Sequence, residues 1–411
     1  MARQAFRKMS LADQGKKNKF LDNLADVIMA NTDEILEANE IDIQLAEKSG
    51  YSKRLIDRLA LNPYSLSAIS GDVRTLISLP DPNGEEIERQ FLPNGLSVRK
   101  IRVPIGVLAV IYESRPNVTI DAASLVIKSG NCVILRGGSE TIESNKVLVD
   151  LVHAALSDSG LPPEAVQFID DPERANVLDL LQLDEYIDLV IPRGGASLHD
   201  FCRKNSRIPV ITGGIGICHL FVDESADLEK AVDVVRNAKV QRPTVCNALD
   251  TVLVHRMIAA RFIPELVDKL LQEGVEFRVD NEAQALLGER DSEKIKLAGP
   301  GDFDTEWLNL VLGIKIVDTL EEAIDHISEH STGHSDGILT QNEVNAANFV
   351  RLVDSAAVYV NASTRFTDGA QLGLGTEIAV STQRIHVRGP MALRELTTYK
   401  WIIEGNYHIR P

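Results

Sequence analysis

Residues 104–136 read PIGVLAVIYESRPNVTIDAASLVIKSGNCVILR, and this stretch decides the class of fold. Val107 to Ile111 form a short apolar run typical of a strand, a helical segment then ends at Gly130, and Cys132 to Leu135 form the next strand. Strand and helix alternate here with short turns between them. That rhythm predicts an α/β fold built on a doubly wound parallel sheet.

The same alternation extends from this stretch in two sets, the second of which begins near Asp227. The predicted elements are a helix from about Ile142 to Gly160, strands at Val166–Ile169 and Ile187–Ile191, a helix ending near Lys239, a strand at Thr251–His255, a helix at Phe262–Gly274, a strand at Val311–Val317 and a helix at Leu320–Glu329. The chain is therefore predicted to hold two α/β units.

Both ends of the chain depart from this rhythm. The first ninety residues carry apolar residues at helical spacing and are predicted to be helical. Leu96 to Val103 alternate apolar and basic residues, as an exposed strand or hairpin arm does. Leu396 to Ile403 are rich in β-branched and aromatic residues, which favours a further strand.

The composition excludes several classes of function. The chain has 411 residues, 44% of them hydrophobic, which suits more than one packed core and argues against disorder. Its net charge of -17 repels phosphate backbones and anionic membranes, so neither nucleic acid nor a membrane is expected as a partner. No apolar run is long enough to span a bilayer or to act as a signal peptide. The cysteines form no CxxC pair, which favours free thiols in a reducing cytoplasm.

Three loops carry side chains suited to chemistry, and each also has an ordinary interpretation. Cys246 lies between a helix and a strand, where a thiol can be exposed and activated, although free cysteines are usually buried. Arg136 to Ser139 follow a strand and precede a helix, which offers amides and a cation to an anion or forms a plain turn. Asn361 to Gly375 form a polar, glycine-rich loop that suits a ligand or a surface turn.

Two familiar motifs are missing from the sequence. Gly213-Gly214-Ile215-Gly216 lacks the third glycine of GxGxxG and no helix is predicted after it, so a sharp turn is favoured. His326, His330 and His334 are spaced by four, but Ser331 to Gly333 should end the helix before His334. No acid or cysteine has a spacing that would complete the ligand set, so no metal is expected.

Longer strings of sequence reveal a relationship. They are 104–107 PIGV, 112–119 YESRPNVT, 129–136 SGNCVILR, 191–195 IPRGG, 358–369 VYVNASTRFTDG and 389–400 GPMALRELTTYK. In this order, along almost the whole chain, they resemble the aldehyde dehydrogenase superfamily, and within it the branch that reduces L-glutamyl 5-phosphate. The resemblance implies a Rossmann-like cofactor domain, a second α/β catalytic domain and a β oligomerisation flap.

The resemblance also implies where these regions lie. Residues 1–238 would form the cofactor-binding domain, with an oligomerisation arm near 90–104. Residues 239–384 would form the catalytic domain, and 385–411 a C-terminal oligomerisation segment. The arm would pair with the tail strand and extend the sheet of a second copy, so a homo-oligomer is expected.

The resemblance also implies site residues, which are carried over by their position in the chain. They are, for catalysis, Cys246, Asn117 and Ser114; for the cofactor, Arg136, Ser139, Gly194, Gly195, Gly213, Gly214 and Glu306; and for the substrate, Arg115, Arg365 and Asp368. Cys246 matches the nucleophile, and Glu306 the residue that holds the nicotinamide ribose. Ser114 replaces the superfamily's oxyanion asparagine, so the Cys246 backbone N–H or Asn117 are alternative donors.

The reaction implied is reduction of L-glutamyl 5-phosphate by NADPH to L-glutamate 5-semialdehyde and phosphate, through a thioester on Cys246, in proline biosynthesis. NADPH is expected because Ser139 stands where NAD-preferring relatives have a glutamate, with Arg136 beside it. Association with glutamate 5-kinase is a further expectation. Two alternatives stay open: a reductase for another acyl phosphate or aldehyde, and a catalytically silent binding partner.

One absence bears on the direction of the chemistry. Hydrolytic aldehyde dehydrogenases carry a general-base glutamate before a Gly-Gly pair, with one residue between. Here the pair is Gly213-Gly214 and the matching position is Ile211. Because isoleucine cannot activate water, the thioester is expected to survive until hydride or phosphate reaches it.

Overall fold

The structure is a computed structural model that describes residues 1–213, 215–288, 290 and 293–410. The chain forms two compact units. The first unit comprises Met1–Thr212, Gly373–Val380 and Pro390–Pro411, and the second unit comprises Gly213–Leu372 and Ser381–Gly389. The predicted boundary after residue 238 falls inside a helix of the second unit, Leu228–Val240. The functional division into domains stays a prediction.

The first unit is built on a parallel sheet preceded by helices. Its helices are α1 Ala2–Met9, α2 Gln14–Ala30, α3 Thr32–Lys48, α4 Lys53–Leu59, α5 Pro63–Ser78, α6 Asn117–Lys128, α7 Ile142–Asp158, α8 Arg174–Leu180 and α9 Ala196–Asn205. Its strands are β1 Glu86–Phe91, β2 Ser97–Pro104, β3 Val107–Tyr112, β4 Cys132–Arg136, β5 Val166–Phe168, β6 Leu189–Arg193 and β16 Thr397–Glu404. None of the helices described in either unit has both the length and the apolar composition needed to cross a membrane.

The parallel sheet of the first unit has the order β5-β4-β3-β6. Its central strand β3, VLAVIY, is buried at every position, as a strand covered by helices on both faces must be. Val107 pairs with Cys132 on one side and Leu108 with Leu189 on the other. The predicted α/β class and the βαβ unit of residues 104–136 are therefore confirmed.

An antiparallel sheet of order β1-β2-β16 forms the flap. Strand β16 pairs with β2 along its whole length, from Thr397 opposite Pro104 to Glu404 opposite Ser97. The predicted pairing of the arm with the tail strand is confirmed. Strand β16 lies at the edge of this sheet, and its partner-facing role stays a prediction.

The second unit is built on a longer parallel sheet. Its strands are β7 Cys218–Val222, β8 Leu249–His255, β9 Glu276–Val279, β10 Ile295–Leu297, β11 Val311–Val317, β12 Ser335–Leu339 and β13 Ala357–Val360, and its helices are α10 Leu228–Val240, α11 Arg256–Leu271, α12 Asn281–Leu287, α13 Leu320–His330 and α14 Glu343–Leu352. The strand order is β10-β9-β11-β8-β7-β12-β13. Buried aliphatic residues and Phe262 and Phe277 form the larger of its apolar clusters. Strands β14 Ala379–Ser381 and β15 Gly389–Met391 form a separate two-stranded sheet.

Several elements differ from the sequence prediction. Strand β7 was not predicted, nor was β12, because each carries polar residues inside a buried run. His219 in β7 and Asp336 in β12 occupy paired strand positions, and both the backbone N–H and Nδ1 of His219 lie within 3.0 Å of Asp336 Oδ1. Asp336 thus contacts both the main chain and the ring of His219 across the sheet, so these polar residues are tolerated inside buried strands that lack apolar periodicity.

One buried histidine of the second unit sets a dependence of stability on pH. His334 is fully buried, and burial lowers its pKa to about 4. His334 binds a proton near pH 6.5 in the unfolded chain but only near pH 4 in the folded chain. The stability contributed by neutral His334 is therefore present above pH 6.5 and is lost as pH falls towards 4.

We expect the variant His334→Gln to lose less stability than the wild type between pH 7 and pH 5, by roughly 2 kcal/mol. Thermal unfolding at both pH values measures the difference. His408→Gln, at an exposed histidine, is the matched control and should behave like the wild type. The test compares variants because other groups also change stability over this range. Burial raises the pKa of Asp121 and Asp250 to about 6, so these two groups increase the stability of the folded chain as pH falls. An equal pH dependence in wild type and His334→Gln would contradict this assignment.

Candidate active site

A cavity of about 490 Å³ opens at the carboxyl ends of β3, β4 and β6 in the first unit. Predicted site residues Ser114, Arg136 and Ser139 line it, together with Glu113 and Glu140. Ligands of open α/β sheets bind at this edge, where the chain turns from strands into helices. The first unit thus brings together part of the predicted cofactor site.

Arg136 ends β4 and forms part of the cavity wall. Its guanidinium donates hydrogen bonds to the carbonyl oxygens of Gly137 and Pro172, both at 2.8 Å. These bonds fix the orientation of a side chain that is almost completely buried. Ser139 is exposed and begins the 3-10 turn Ser139–Thr141 that leads into α7. A cation and a hydroxyl therefore lie at the start of this helix, an arrangement that suits an anionic group.

Ser114 does not present its hydroxyl to the cavity as an unoccupied donor. Its backbone has φ of 56°, and both its N–H and its Oγ donate to Glu140 Oε1, at 2.8 and 3.1 Å. Glu140 was missed by the sequence prediction, although it directly follows Ser139. The signal was an acidic residue within the predicted anion loop, but its partner could be found only from the tertiary structure.

The glycines at 194 and 195 act on Glu113. The N–H of Gly195 donates to Glu113 Oε2 at 3.1 Å. A Cβ at Gly194 would lie 2.4 Å from the same carboxylate oxygen, so a side chain there would displace it. These glycines therefore shape the cavity through the acidic side chain of Glu113.

Arg115 lies in the turn between β3 and α6, and Asn117 is the first residue of α6. The Asn117 amide donates to Asp121 Oδ2 at 2.9 Å. Burial raises the pKa of Asp121 to about 6, while Arg193 and this hydrogen bond oppose the rise. Arg115 is half-buried, and its carbonyl accepts the N–H of Val118 at 3.1 Å. One of the two N–H donors of the Asn117 amide is thus engaged with a carboxyl group.

The cysteines separate clearly by burial. All of them lie in the described part of the chain, and Cys246 is the one that is not buried. Burial raises the thiol pKa of Cys132 to about 12, that of Cys202 to about 11 and that of Cys218 well above its usual range. Because the thiolate is the nucleophile, these three are poor candidates and Cys246 is the accessible one.

The loop that carries Cys246 joins α10 to β8 in the second unit. The Cys246 carbonyl accepts a hydrogen bond from Cys218 Sγ at 3.2 Å. A Cβ on Gly216 would lie 1.5 Å from that carbonyl oxygen, so only glycine fits at 216. Asn247 is also held in place. Its side-chain amide donates to the Thr367 carbonyl at 2.9 Å, and its main-chain carbonyl accepts from Thr364 Oγ1 at 2.7 Å.

Glu306 lies close to the same backbone segment. Its Oε1 accepts the N–H of Gly216 at 2.9 Å, so the structure brings Glu306 and the Cys246 loop together within the second unit. Gly213 forms an isolated antiparallel bridge with Ser381. Gly214, also predicted to bind the cofactor, lies outside the described residues.

Arg365 and Asp368 follow β13 in the predicted polar loop. Arg365 is half-buried, and its Nε donates to Gln241 Oε1 at 2.9 Å. Burial and then Arg242 lower the pKa of Arg365, while the charges of Asp368 and Cys246 oppose this. Asp368 accepts backbone N–H groups from Ala370 and Gln371 at 3.0 and 3.2 Å, which caps a turn. Arg365 thus lies within electrostatic reach of the thiol.

The histidine series forms no metal centre among the residues that the structure describes. Helix α13 ends at His330, as predicted, so His334 lies beyond it. Within the described ranges no three histidine, cysteine or acidic side chains are grouped as a metal ion would require.

Comparison with known proteins places this geometry. A family model described as the aldehyde dehydrogenase family matches residues 1–296. The chain is 54% identical to a gamma-glutamyl phosphate reductase of Psychromonas ingrahamii over 411 residues, which is 100% of this chain and 98% of the relative.

Solved structures agree with that result. The crystal structure of a gamma-glutamyl phosphate reductase from Thermotoga maritima has a TM-score of 0.96 and 47% identity, and the match covers 100% of this chain and 98% of that one. An engineered glycolyl-CoA reductase with bound NADP+ shares the fold at a TM-score of 0.68 and 18% identity, over 98% of this chain and 94% of that one. The chain therefore belongs to the aldehyde dehydrogenase family and, within it, to the gamma-glutamyl phosphate reductases.

Proposed function

We propose that this chain reduces L-glutamyl 5-phosphate to L-glutamate 5-semialdehyde and phosphate with NADPH, as a step of proline biosynthesis. The observation that carries the proposal is the accessible Cys246, whose carbonyl lies against Gly216, the residue that donates its N–H to Glu306. Gamma-glutamyl phosphate reductases that match the full length of the chain support the choice of substrate. A cytoplasmic location is part of this proposal, because the cysteines are free thiols.

The first chemical step is attack by the Cys246 thiolate on the acyl carbon of the substrate. A carbon–sulfur bond forms, the bond from that carbon to the phosphate oxygen breaks, and inorganic phosphate leaves. A covalent thioester divides one difficult step into two easier ones. When bound, NADPH supplies the hydride that reduces the thioester carbon, after which the carbon–sulfur bond breaks and the thiolate is regenerated.

The residues of the first unit fit the adenosine end of NADPH. Its cavity holds Arg136 with a fixed guanidinium and Ser139 with an exposed hydroxyl, and both can donate to a 2′-phosphate. The neighbouring Glu140 carboxylate is bound by both donors of Ser114. In the second unit, Glu306 would hold the nicotinamide ribose.

The oxyanion of each tetrahedral state needs a hydrogen-bond donor. Of the expected side-chain donors, Ser114 donates its hydroxyl to Glu140, and one of the two amide N–H groups of Asn117 donates to Asp121. We propose the backbone N–H of Cys246, which covalent geometry keeps next to the reacting carbon. Arg365 and Arg115 would bind the substrate's carboxylate and phosphate, since guanidinium pairs with either, and Asp368 its amino group.

The flap suggests how copies assemble. Strand β16 is an edge strand, with Tyr399, Trp401 and Ile403 exposed. An exposed apolar edge of this kind needs to be covered, so we propose a homo-oligomer in which a second copy extends the sheet. Association with glutamate 5-kinase, which would deliver the labile acyl phosphate, is part of the same proposal.

We expect Cys246→Ala to lower kcat by at least about a thousandfold while leaving cofactor binding intact, because the covalent route is removed. Steady-state assay and NADPH titration measure the two effects. Cys132→Ala and Cys202→Ala, at buried cysteines, are the matched controls and should change stability at most. An essential Cys132 or Cys202 with a dispensable Cys246 would show that the nucleophile has been misassigned.

Cofactor preference provides a second test. We expect the unmodified enzyme to favour NADPH, and Ser139→Glu to lower the ratio of kcat/KM for NADPH over NADH by about 10-fold or more, because a carboxylate repels the 2′-phosphate. Ser197→Glu adds the same charge to another residue that lines the cavity and should have a smaller effect. Preference for NADH in the unmodified enzyme would overturn the assignment.

The direction of the chemistry provides a third test. Ile211 is buried, and it occupies the position of the hydrolytic base, so water should attack the thioester slowly. We expect oxidation of glutamate semialdehyde to require inorganic phosphate or arsenate and to stop after one turnover without either. NADPH formation in phosphate-free buffer, followed by addition of arsenate, measures this. Sustained turnover without an acceptor anion would show that the enzyme hydrolyses its thioester.

A further inference from the structure

A buried ion pair closes the loop that carries Cys246. Lys239 lies in the last turn of α10 and Asp250 at the second position of β8, so the two residues flank the loop at 241–248. Lys239 Nζ and Asp250 Oδ1 are 3.5 Å apart, and their side chains are 0% and 3% exposed. The pair therefore clamps both ends of the loop from within the protein.

The Asp250 carboxylate also holds two further backbone segments. Its Oδ1 accepts the N–H of Trp307 at 3.2 Å, and its Oδ2 accepts the N–H of Cys218 at 3.4 Å. Trp307 directly follows Glu306. Cys218 donates through its Sγ to the Cys246 carbonyl. One carboxylate thus contacts the segments that carry the proposed ribose-binding glutamate and support the proposed nucleophile.

The segment that carries Gly216 links the Glu306 segment directly to the Cys246 loop. Gly216 donates its N–H to Glu306 and has no room for a side chain against the Cys246 carbonyl. A shift of the Trp307 segment would therefore be transmitted to Gly216, and from there to the Cys246 backbone. Asp250 provides a second link between these segments, because it accepts the N–H groups of both Trp307 and Cys218.

A contribution to stability does not by itself explain why Lys239 and Asp250 are buried as a charged pair. Burial raises the pKa of Asp250 to about 6 and lowers the pKa of Lys239, so both charged forms are disfavoured by their surroundings. A buried ion pair is often no more stabilising than well-packed apolar residues of similar volume. A carboxylate, however, accepts hydrogen bonds on both oxygens, and here each oxygen has a different backbone partner.

We propose that Lys239 and Asp250 form a positioning pair that fixes the Cys246 loop relative to the Glu306 segment for the reaction. The inference rests on the proposed function for its catalytic consequence. The pair would contact neither substrate nor cofactor and would act through Cys218, Trp307 and the loop backbone. Cys218 therefore differs from Cys132 and Cys202, with which the cysteine pattern of the sequence groups it.

The test uses the double variant Lys239→Met/Asp250→Asn in the full chain. It leaves no unpaired buried charge, so the fold should survive with a melting temperature near that of the wild type. The asparagine has one acceptor oxygen, so it can hold Trp307 or Cys218 but not both. We expect kcat to fall by about 10- to 100-fold, because small misplacement of a reacting group has effects of this size, with KM changed less than about threefold.

A second readout needs no turnover. In a Trp401→Phe background, which leaves Trp307 as the remaining tryptophan, we expect the double variant to shift the emission of Trp307. The rate at which iodoacetamide alkylates Cys246, followed by mass spectrometry of its peptide, should also change. Asp223→Asn is the matched control, because Asp223 is a buried acid just beyond the carboxyl end of the neighbouring strand β7, bonded to Ser225, Thr340 and Asn345.

The outcomes are separable. Wild-type kcat, Trp307 emission and Cys246 alkylation in a stable double variant would overturn the proposal and leave the pair a purely structural feature. The same holds if Asp223→Asn changes kcat and alkylation as strongly as the double variant does. Retained turnover in Cys246→Ala would instead refute the proposed function, while the fluorescence and alkylation results would still decide whether the pair positions these segments.

Discussion

The carbonyl oxygen of Cys246 occupies the space that a side chain at residue 216 would need. This close approach of two backbone segments allows Gly216 to donate to Glu306 while Cys218, two residues later, donates to Cys246. The local arrangement of Gly216, Cys246 and Glu306 within the second unit follows from it. Any larger residue at 216 would separate the Cys246 loop from β7, and the hydrogen bonds on either side would be lost together.

Each unit places candidate site residues where the strands of its own sheet begin or end. In the first unit the cavity lies where β3 and β4 end, which is the usual location in open α/β sheets. In the second unit Gly216, Cys246 and Glu306 precede β7, β8 and β11. The second sheet thus serves to hold the segments that enter its strands.

The sequence predicted the elements whose apolar residues follow a simple period. The βαβ unit around β3 and the strand β11 are of this kind, whereas the pairing of β2 with β16 was implied by the family resemblance. It failed at β7 and β12, where His219 and Asp336 lie in buried strands and contact each other across the sheet. The family resemblance nominates Cys246 and Glu306 by their position in the chain, but not Glu140 or Asp250, because the contacts of these two acids depend on hydrogen bonds to residues far away in the chain.

The order of synthesis acquires a meaning from the way the first unit is divided. Its final strand, β16, follows the whole of the second unit in the chain, and it pairs with β2 across about three hundred residues. A chain leaving the ribosome can complete the second unit while the first still lacks an edge of its flap. Contacts of such long sequence separation form slowly, so the flap should close last. Until then β2 exposes an unpaired edge, and a chain interrupted before residue 397 would retain that edge permanently.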